Sequence, residues 1–317
     1  MSKLIVLLLM VSPSFVYSQR IENTISFREI SYDSYIRFSY DNDFFTSSDR
    51  YYSQGIQLEY VTPAFKKNPF NFLLLKSRSK PVKNGIALDH MVFTPSTIRS
   101  NDVIPGDRPF AACLTMGSFS MLYDSTHSMV YSSSISFGVI GPLAGGEAMQ
   151  KGIHDALDNI EPLGWEHQIK NDIIINYEVS LEKQLYNYRN YFALNGTTGI
   201  RVGTLNDNIN MGINFQLGRI NPIFKSVLSP KLQIYLFSES LVNFIGYNAT
   251  LQGGMFNRSS PYTFKTEDLS RVTLQQNLGI VLKWERIYLE YFQTGLTQEF
   301  ETGKSHRWGG IKMGCAF

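Results

Sequence analysis

The chain has 317 residues, a net charge of +2 at pH 7, two cysteines and 14% aromatic residues, with 22 Phe and 18 Tyr, at a mean hydropathy of −0.13. So balanced a charge gives no field for nucleic acid. Two distant cysteines, Cys113 and Cys315, make no disulfide framework, and neither has a His at ligand spacing for zinc.

The N-terminal segment reads as an export signal: Lys3 is its positive start, Leu4 to Met10 its apolar core, and Val16 and Ser18 the small residues before a cut at Gln19. The expected organisation is a signal peptide over 1–18 and one barrel over 19–317. No later run approaches ~18 continuous apolar residues, so no transmembrane helix is expected. Abundant aromatics at near-neutral hydropathy suit interleaved apolar and polar positions with aromatic girdles.

The dominant period is two. In 209–217, Ile209, Met211, Ile213, Phe215 and Leu217 alternate with Asn210, Gly212, Asn214 and Gln216. The same alternation runs through 173–182 and 272–282. A strand sends successive side chains to opposite faces, so each segment has one apolar and one polar side. Twelve such segments are expected: 33–42, 51–62, 84–94, 110–123, 128–140, 171–186, 189–202, 208–218, 231–243, 270–283, 286–298 and 305–317. Their length suits a tilted membrane crossing, and an even count lets an antiparallel barrel close without open edges. The chain ends on alternating apolar residues and a terminal Phe317, an ending like that of outer-membrane barrels. The expected class is an all-β, twelve-stranded antiparallel transmembrane barrel in a Gram-negative-type outer membrane.

With the N-terminus periplasmic, the outside connections fall at 43–50, 95–109, 141–170, 203–207, 244–269 and 299–304. The inside ones are mostly tight, except the long, basic 63–83. Spacing within the third outside loop predicts a helix over 147–161, with His154, Asp158 and Glu161 on its polar face.

On this reading Asn42, Asp43, Ser53, Arg99, Arg108 and His154 converge at the outside mouth of the barrel. His154 is a general-base candidate or a solvated helix residue. Asn42-Asp43 offers oxygen ligands to a hard cation or is simple turn chemistry. Ser53 lacks the surroundings of a nucleophile, which leaves it a positioning or ligand role. Arg99 and Arg108 suit phosphates or merely solubilise the rim.

Taken in order, Asn42-Asp43, Asp49-Arg-Tyr-Tyr-Ser-Gln-Gly55, Gly106-Asp-Arg-Pro-Phe-Ala111, Ile140-Gly-Pro-Leu-Ala-Gly-Gly146, Gln150-x-x-x-His154 and Gly164-Trp-x-x-Gln168 resemble the outer-membrane lipid A 3′-O-deacylase family. The motifs lie within 37–186; beyond them the likeness is barrel pattern and the terminal Phe. The resemblance implies a twelve-stranded, calcium-dependent hydrolase that removes the 3′ acyloxyacyl chain of lipid A. It implies His154 as the base that activates water, Asn42 and Asp43 on the calcium side, and Ser53 where the family has Thr. It sets Arg99 near a lipid A phosphate. The family carries a functional Glu at the position of Ile160, so Asp158 or Glu161 is expected to substitute, with Glu161 as a metal ligand. The expected partners are lipid A and the outer membrane, with no nucleic acid, for a monomer. A non-catalytic lipid-binding or transport barrel and an outer-membrane phospholipase are the alternatives.

Overall fold

The computed structural model describes residues 32–46, 50–221 and 232–317. The expected signal peptide lies outside them.

Twelve strands close into one antiparallel barrel. They are β1 (Tyr35–Asn42), β2 (Tyr51–Val61), β3 (Val82–Thr94), β4 (Ala111–Asp124), β5 (Met129–Ile140), β6 (Asp172–Tyr188), β7 (Phe192–Gly203), β8 (Asn206–Arg219), β9 (Leu232–Asn248), β10 (Val272–Trp284), β11 (Ile287–Leu296) and β12 (His306–Ala316). Each pairs with its neighbours in sequence, and β1 closes on β12 from Tyr35↔Ala316 to Asn42↔Gly309. The expected number, order and pairing all hold, with boundaries moved by a few residues.

The faces are those of a membrane barrel. On β8 the apolar row Ile209, Met211, Ile213, Phe215 and Leu217 is 39–53% exposed, whereas Asn208, Asn210, Asn214 and Gln216 are buried. The apolar row therefore faces lipid and the polar row the lumen. Inside, Arg37 meets Glu59 at 2.6 Å, Arg201 meets Glu178 at 2.7 Å and Gln57 donates to Asp89 at 2.7 Å. Both thiols are free: Cys113 is buried on the lumen side and Cys315 lies exposed in the lipid-facing row of Ile311 and Met313.

The outside end of the lumen is plugged. Helix α2 (Ala249–Gln252) and the last outside loop bring Tyr51, Leu251, Phe264, Leu269 and Phe300 into one buried cluster. Beneath it Arg108 joins three loops, reaching Glu299 and Thr250 while its guanidinium lies 4.4 Å over the Phe93 ring.

The long inside connection departs from expectation. Segment 62–81 folds back up the outer wall as two 3-10 turns, Pro63–Lys67 and Pro69–Leu73. Asn68 Nδ2 donates to Ser118 Oγ at 3.2 Å, and Tyr177 Oη donates to the Leu73 carbonyl at 2.8 Å.

Candidate active site

Strand parity decides where the site is. On β1, Ile36 is exposed to lipid and Arg37, Ser39 and Asp41 are buried in the lumen. Asn42 continues the row of Ile36, Phe38 and Tyr40, so it belongs to the outer wall. The next turn, Asp43–Thr46, lies on that wall: Thr46 Oγ1 donates to the Arg307 carbonyl at 2.8 Å, and the Phe45 ring is 6.3 Å from Tyr291. Asn42 Oδ1 accepts from the Phe44 amide at 2.7 Å, which fixes the turn; Asp43 is 7% exposed within it.

β2 contains a bulge. Tyr52 pairs with Phe93 and Gln54 with Val92, which leaves Ser53 as the extra residue. Simple alternation would put Ser53 with Gln57 and Glu59 in the lumen. The bulge instead brings its hydroxyl to Thr94 Oγ1 at 2.6 Å, at the strand end. Gln54 continues the outer row of Ile56 and Leu58, directly opposite Asn42 in the β1–β2 register.

Helix α1 (Gly146–Ala156) lies over this wall rather than in the mouth. Met149 Sδ accepts from Gln54 Nε2 at 2.7 Å, and Gln150 Oε1 accepts from Trp165 Nε1 at 2.8 Å. Trp165 is buried with Val92, Phe110, Ala112 and Ala144, an apolar pad under the helix. Gly146 makes the approach possible: a Cβ there would sit 2.4 Å from Ala112 Cβ and 3.0 Å from Trp165. Gly146→Ala is therefore expected to lift the first turn and cost about 1–3 kcal/mol, read as a lower unfolding temperature in detergent. An unchanged temperature would mean that the helix does not rest on this pad.

The helix is shorter than its sequence pattern. It ends at Ala156, not at 161, because Asp158 takes the left-handed conformation, φ 52°, and the chain reverses. The Asn159 amide donates back to the His154 carbonyl at 2.8 Å, and Asn159 Oδ1 takes the Ile160 amide at 2.8 Å. The Ile160 carbonyl is thereby aimed at His154, and accepts from Nδ1 at 2.6 Å. A carbonyl only accepts, so Nδ1 carries a proton, and in the neutral imidazole Nε2 is then the nitrogen with the lone pair. Among the described residues Nε2 has no hydrogen-bond partner.

The other expected site residues separate. Neither Asp158 nor Glu161 shares a helix face with His154, since both lie beyond the helix. Glu161 is 70% exposed and pairs with Lys151 at 3.4 Å; Lys151 also meets Glu147 at 3.1 Å. Those carboxylates, Glu147 first, raise the Lys151 pKa. Arg99 is exposed on the loop beside the 163–165 segment, where the Leu163 amide donates to the Ile98 carbonyl at 2.8 Å. Arg108 is not a rim cation but the buried tie of the plug; burial lowers its pKa, and Glu299 opposes that. Among the described residues no group of three or more His, Cys, Asp or Glu side chains is placed to hold a metal.

The Asp43–Thr46 turn and α1, which carries His154, thus share the outer wall, with Gln54 bonded to Met149 of the helix and paired with Asn42 of β1; the space between turn and helix is the candidate groove. Its rim is apolar: Phe44 is 81% exposed, Leu143 69%, Leu157 71% and Ile160 43%. Sequence reasoning missed the Ile160 carbonyl, since a backbone group leaves no mark at its own position. It also missed Gln54 as the linking residue, although Gln54 stands inside a quoted motif.

A family model described as "Outer membrane protein LpxR" matches residues 4–317. Among solved structures, LpxR from Salmonella typhimurium superposes with a TM-score of 0.73 at 19% identity, covering 90% of this chain and 100% of that one. At that identity the likeness speaks for the fold. The beta domain of the Bordetella autotransporter BrkA (TM-score 0.44, 8% identity, 90% of this chain and 100% of that one) and the P. putida toluene transporter TodX (0.38, 9%, 96% and 96%) are too remote to carry an argument. No curated protein sequence matches the chain.

Proposed function

The chain belongs to the LpxR family of outer membrane proteins, and on that footing we propose that it hydrolyses the ester that holds the 3′ acyloxyacyl chain of lipid A. The observation that carries this reading is His154, held through Nδ1 by the Ile160 carbonyl, with Nε2 unpartnered among the described residues, on a helix bonded to the outer wall. Nε2 takes a proton from water as the water oxygen bonds to the ester carbonyl carbon. The tetrahedral adduct then collapses: the bond to the sugar oxygen breaks, that oxygen takes the proton back from Nε2, and the acyl chain leaves as a carboxylic acid. The apolar rim supports a substrate that arrives from the outer leaflet with its acyl chains still in the bilayer. The transport alternative has a specific objection, since the outside end of the lumen is closed by the Arg108–Glu299 plug.

Calcium is a part of the reading that the residues fit incompletely. Asn42 and Asp43 stand together on the turn and would hold the ion, whereas Glu161 is engaged by Lys151. Two side chains supply a minority of the roughly 6–8 oxygens that calcium takes, so water and substrate would furnish the others. A bound ion would polarise the ester carbonyl. The expected result is that chelation lowers activity, calcium restores it, Asp43→Asn raises the calcium needed, and Glu161→Gln leaves it alone. An equal shift from Glu161→Gln would return that residue to the site.

The test of the activity is mass spectrometry of lipid A from cells expressing the protein. Loss of one acyloxyacyl mass is expected. Intact lipid A beside a correctly inserted barrel would overturn the reading.

A further inference from the structure

Segment 62–81 covers an unusual stretch of wall. Ser118 and Ser120 occupy lipid-side positions in the row of Met116, and Ser133 does so in the row of Ile135 and Phe137. Met116 is 56% exposed in that row, yet the three serines are 5%, 0% and 1% exposed because the segment lies on them. The Leu75 amide donates to Ser133 Oγ at 2.8 Å, and Ser120 Oγ donates to the Leu75 carbonyl at 3.0 Å. With the Tyr177–Leu73 bond, these satisfy irregular backbone against the wall, the condition for such backbone at membrane depth, and Asn68 adds a side-chain bond to Ser118. The Phe70 ring reaches Phe137 at 5.3 Å, so the segment climbs alongside the acyl layer instead of hanging in the periplasm.

What the segment shows outward is amphipathic. Phe70, Phe72 and Leu73 are 43%, 71% and 39% exposed. Residues 62–83 contain Lys66, Lys67, Lys76, Arg78, Lys80 and Lys83 and no Asp or Glu. Lys80 is paired with Asp124, and Lys83 lies over the Tyr123 ring. Lys66, Lys67, Lys76 and Arg78 are exposed, and among the described residues none of them makes an ion pair. An apolar group flanked by unpaired cations at a bilayer boundary matches an anionic lipid surface.

We propose that segment 62–81 binds anionic glycerophospholipid in the periplasmic leaflet. Phe70, Phe72 and Leu73 enter the acyl layer, and Lys66, Lys67, Lys76 and Arg78 hold head-group phosphates. The segment contacts β4, β5 and β6 and none of the residues that hold His154, and the proposal does not depend on the hydrolytic reading.

The test places a tryptophan at exposed Phe72 and reconstitutes the full-length Phe72→Trp protein in vesicles. The emission added over the parent is followed with chain-brominated phosphatidylglycerol or chain-brominated phosphatidylcholine diluted into phosphatidylcholine. Quenching is expected with both, at least about threefold more efficient for the glycerol lipid, given roughly fivefold per cation at an anionic surface. That preference should vanish when Lys66, Lys67, Lys76 and Arg78 are all changed to Gln, in a variant whose heat-modifiable gel migration shows a folded barrel. If that variant does not fold, loss of the preference at high salt in the Phe72→Trp protein serves the same purpose. Equal quenching by the two lipids overturns head-group recognition. A tryptophan reached by aqueous iodide and by neither lipid overturns membrane contact. Shielding from all three together with a cross-linked dimer assigns the surface to a second copy instead.

Discussion

Cells expressing the His154→Ala variant are expected to keep intact lipid A while the barrel inserts and migrates like the parent. A positioned general base contributes about 10²–10⁴-fold to rate, and the purified variant should lose that much in kcat with little change in KM. The orientation behind the effect can be separated from it. The acceptor for Nδ1 is the backbone carbonyl of Ile160, so Ile160→Ala retains the acceptor and should run close to the parental rate. Asp158→Val puts a β-branched residue at φ 52° and opens the reversal that aims that carbonyl. It should lower kcat, with KM held, in a barrel of parental stability. Asp158→Gly accepts the same conformation and should restore the rate. A large loss from Ile160→Ala beside an unaffected Asp158→Val would refute backbone orientation of the imidazole. Release of fatty acid from phospholipid, with lipid A untouched, would favour the phospholipase alternative.

That turn also shows where the sequence stops being legible. Alternation located all twelve strands because one buried and one lipid-facing row leave a period of two in every crossing. It also found α1, although the residues that meet the Trp165 pad are Gly146 and Gln150, and Gln150 stands on the polar side of the sequence pattern. The helix end escaped because residues to 161 still fit the periodicity, while the reversal depends on a non-glycine residue, Asp158, adopting a left-handed conformation. The lateral placement of the site escaped for a related reason. Residues at strand ends were assigned to the mouth without asking which face they continue, and the bulge at Ser53, which adds one residue without changing composition, broke the row it shares by simple alternation with Gln57 and Glu59. Segment 62–81 has neither period, and its place on the wall follows from partners such as Ser133 and Tyr177, far along the chain. The quoted motifs were visible, yet they mix roles. Asn42 lies on the outer wall and His154 on the helix beside it, whereas Asp107, which accepts from the Ser96 amide at 2.9 Å, and Arg108 build the loops.

Arg108 gives the largest expected change in stability. Its side chain is 1% exposed and that of Glu299 is 4%, so neither charge has water to fall back on. Arg108→Met leaves the Glu299 carboxylate buried without its cation, which costs about 3–5 kcal/mol. Chemical unfolding in detergent should register that loss. The double change Arg108→Met with Glu299→Leu removes the stranded charge along with the tie, and should recover most of the loss, because replacing a buried pair by apolar side chains is often neutral. At a temperature where the single variant is still folded, its KM for lipid A should match the parent's, since Arg108 closes the lumen and the groove is on the outer wall. Its conductance in planar bilayers should rise as the plug loosens. A raised KM with undiminished stability would instead return Arg108 to the substrate, and would mean that the lumen mouth and the wall groove form one site.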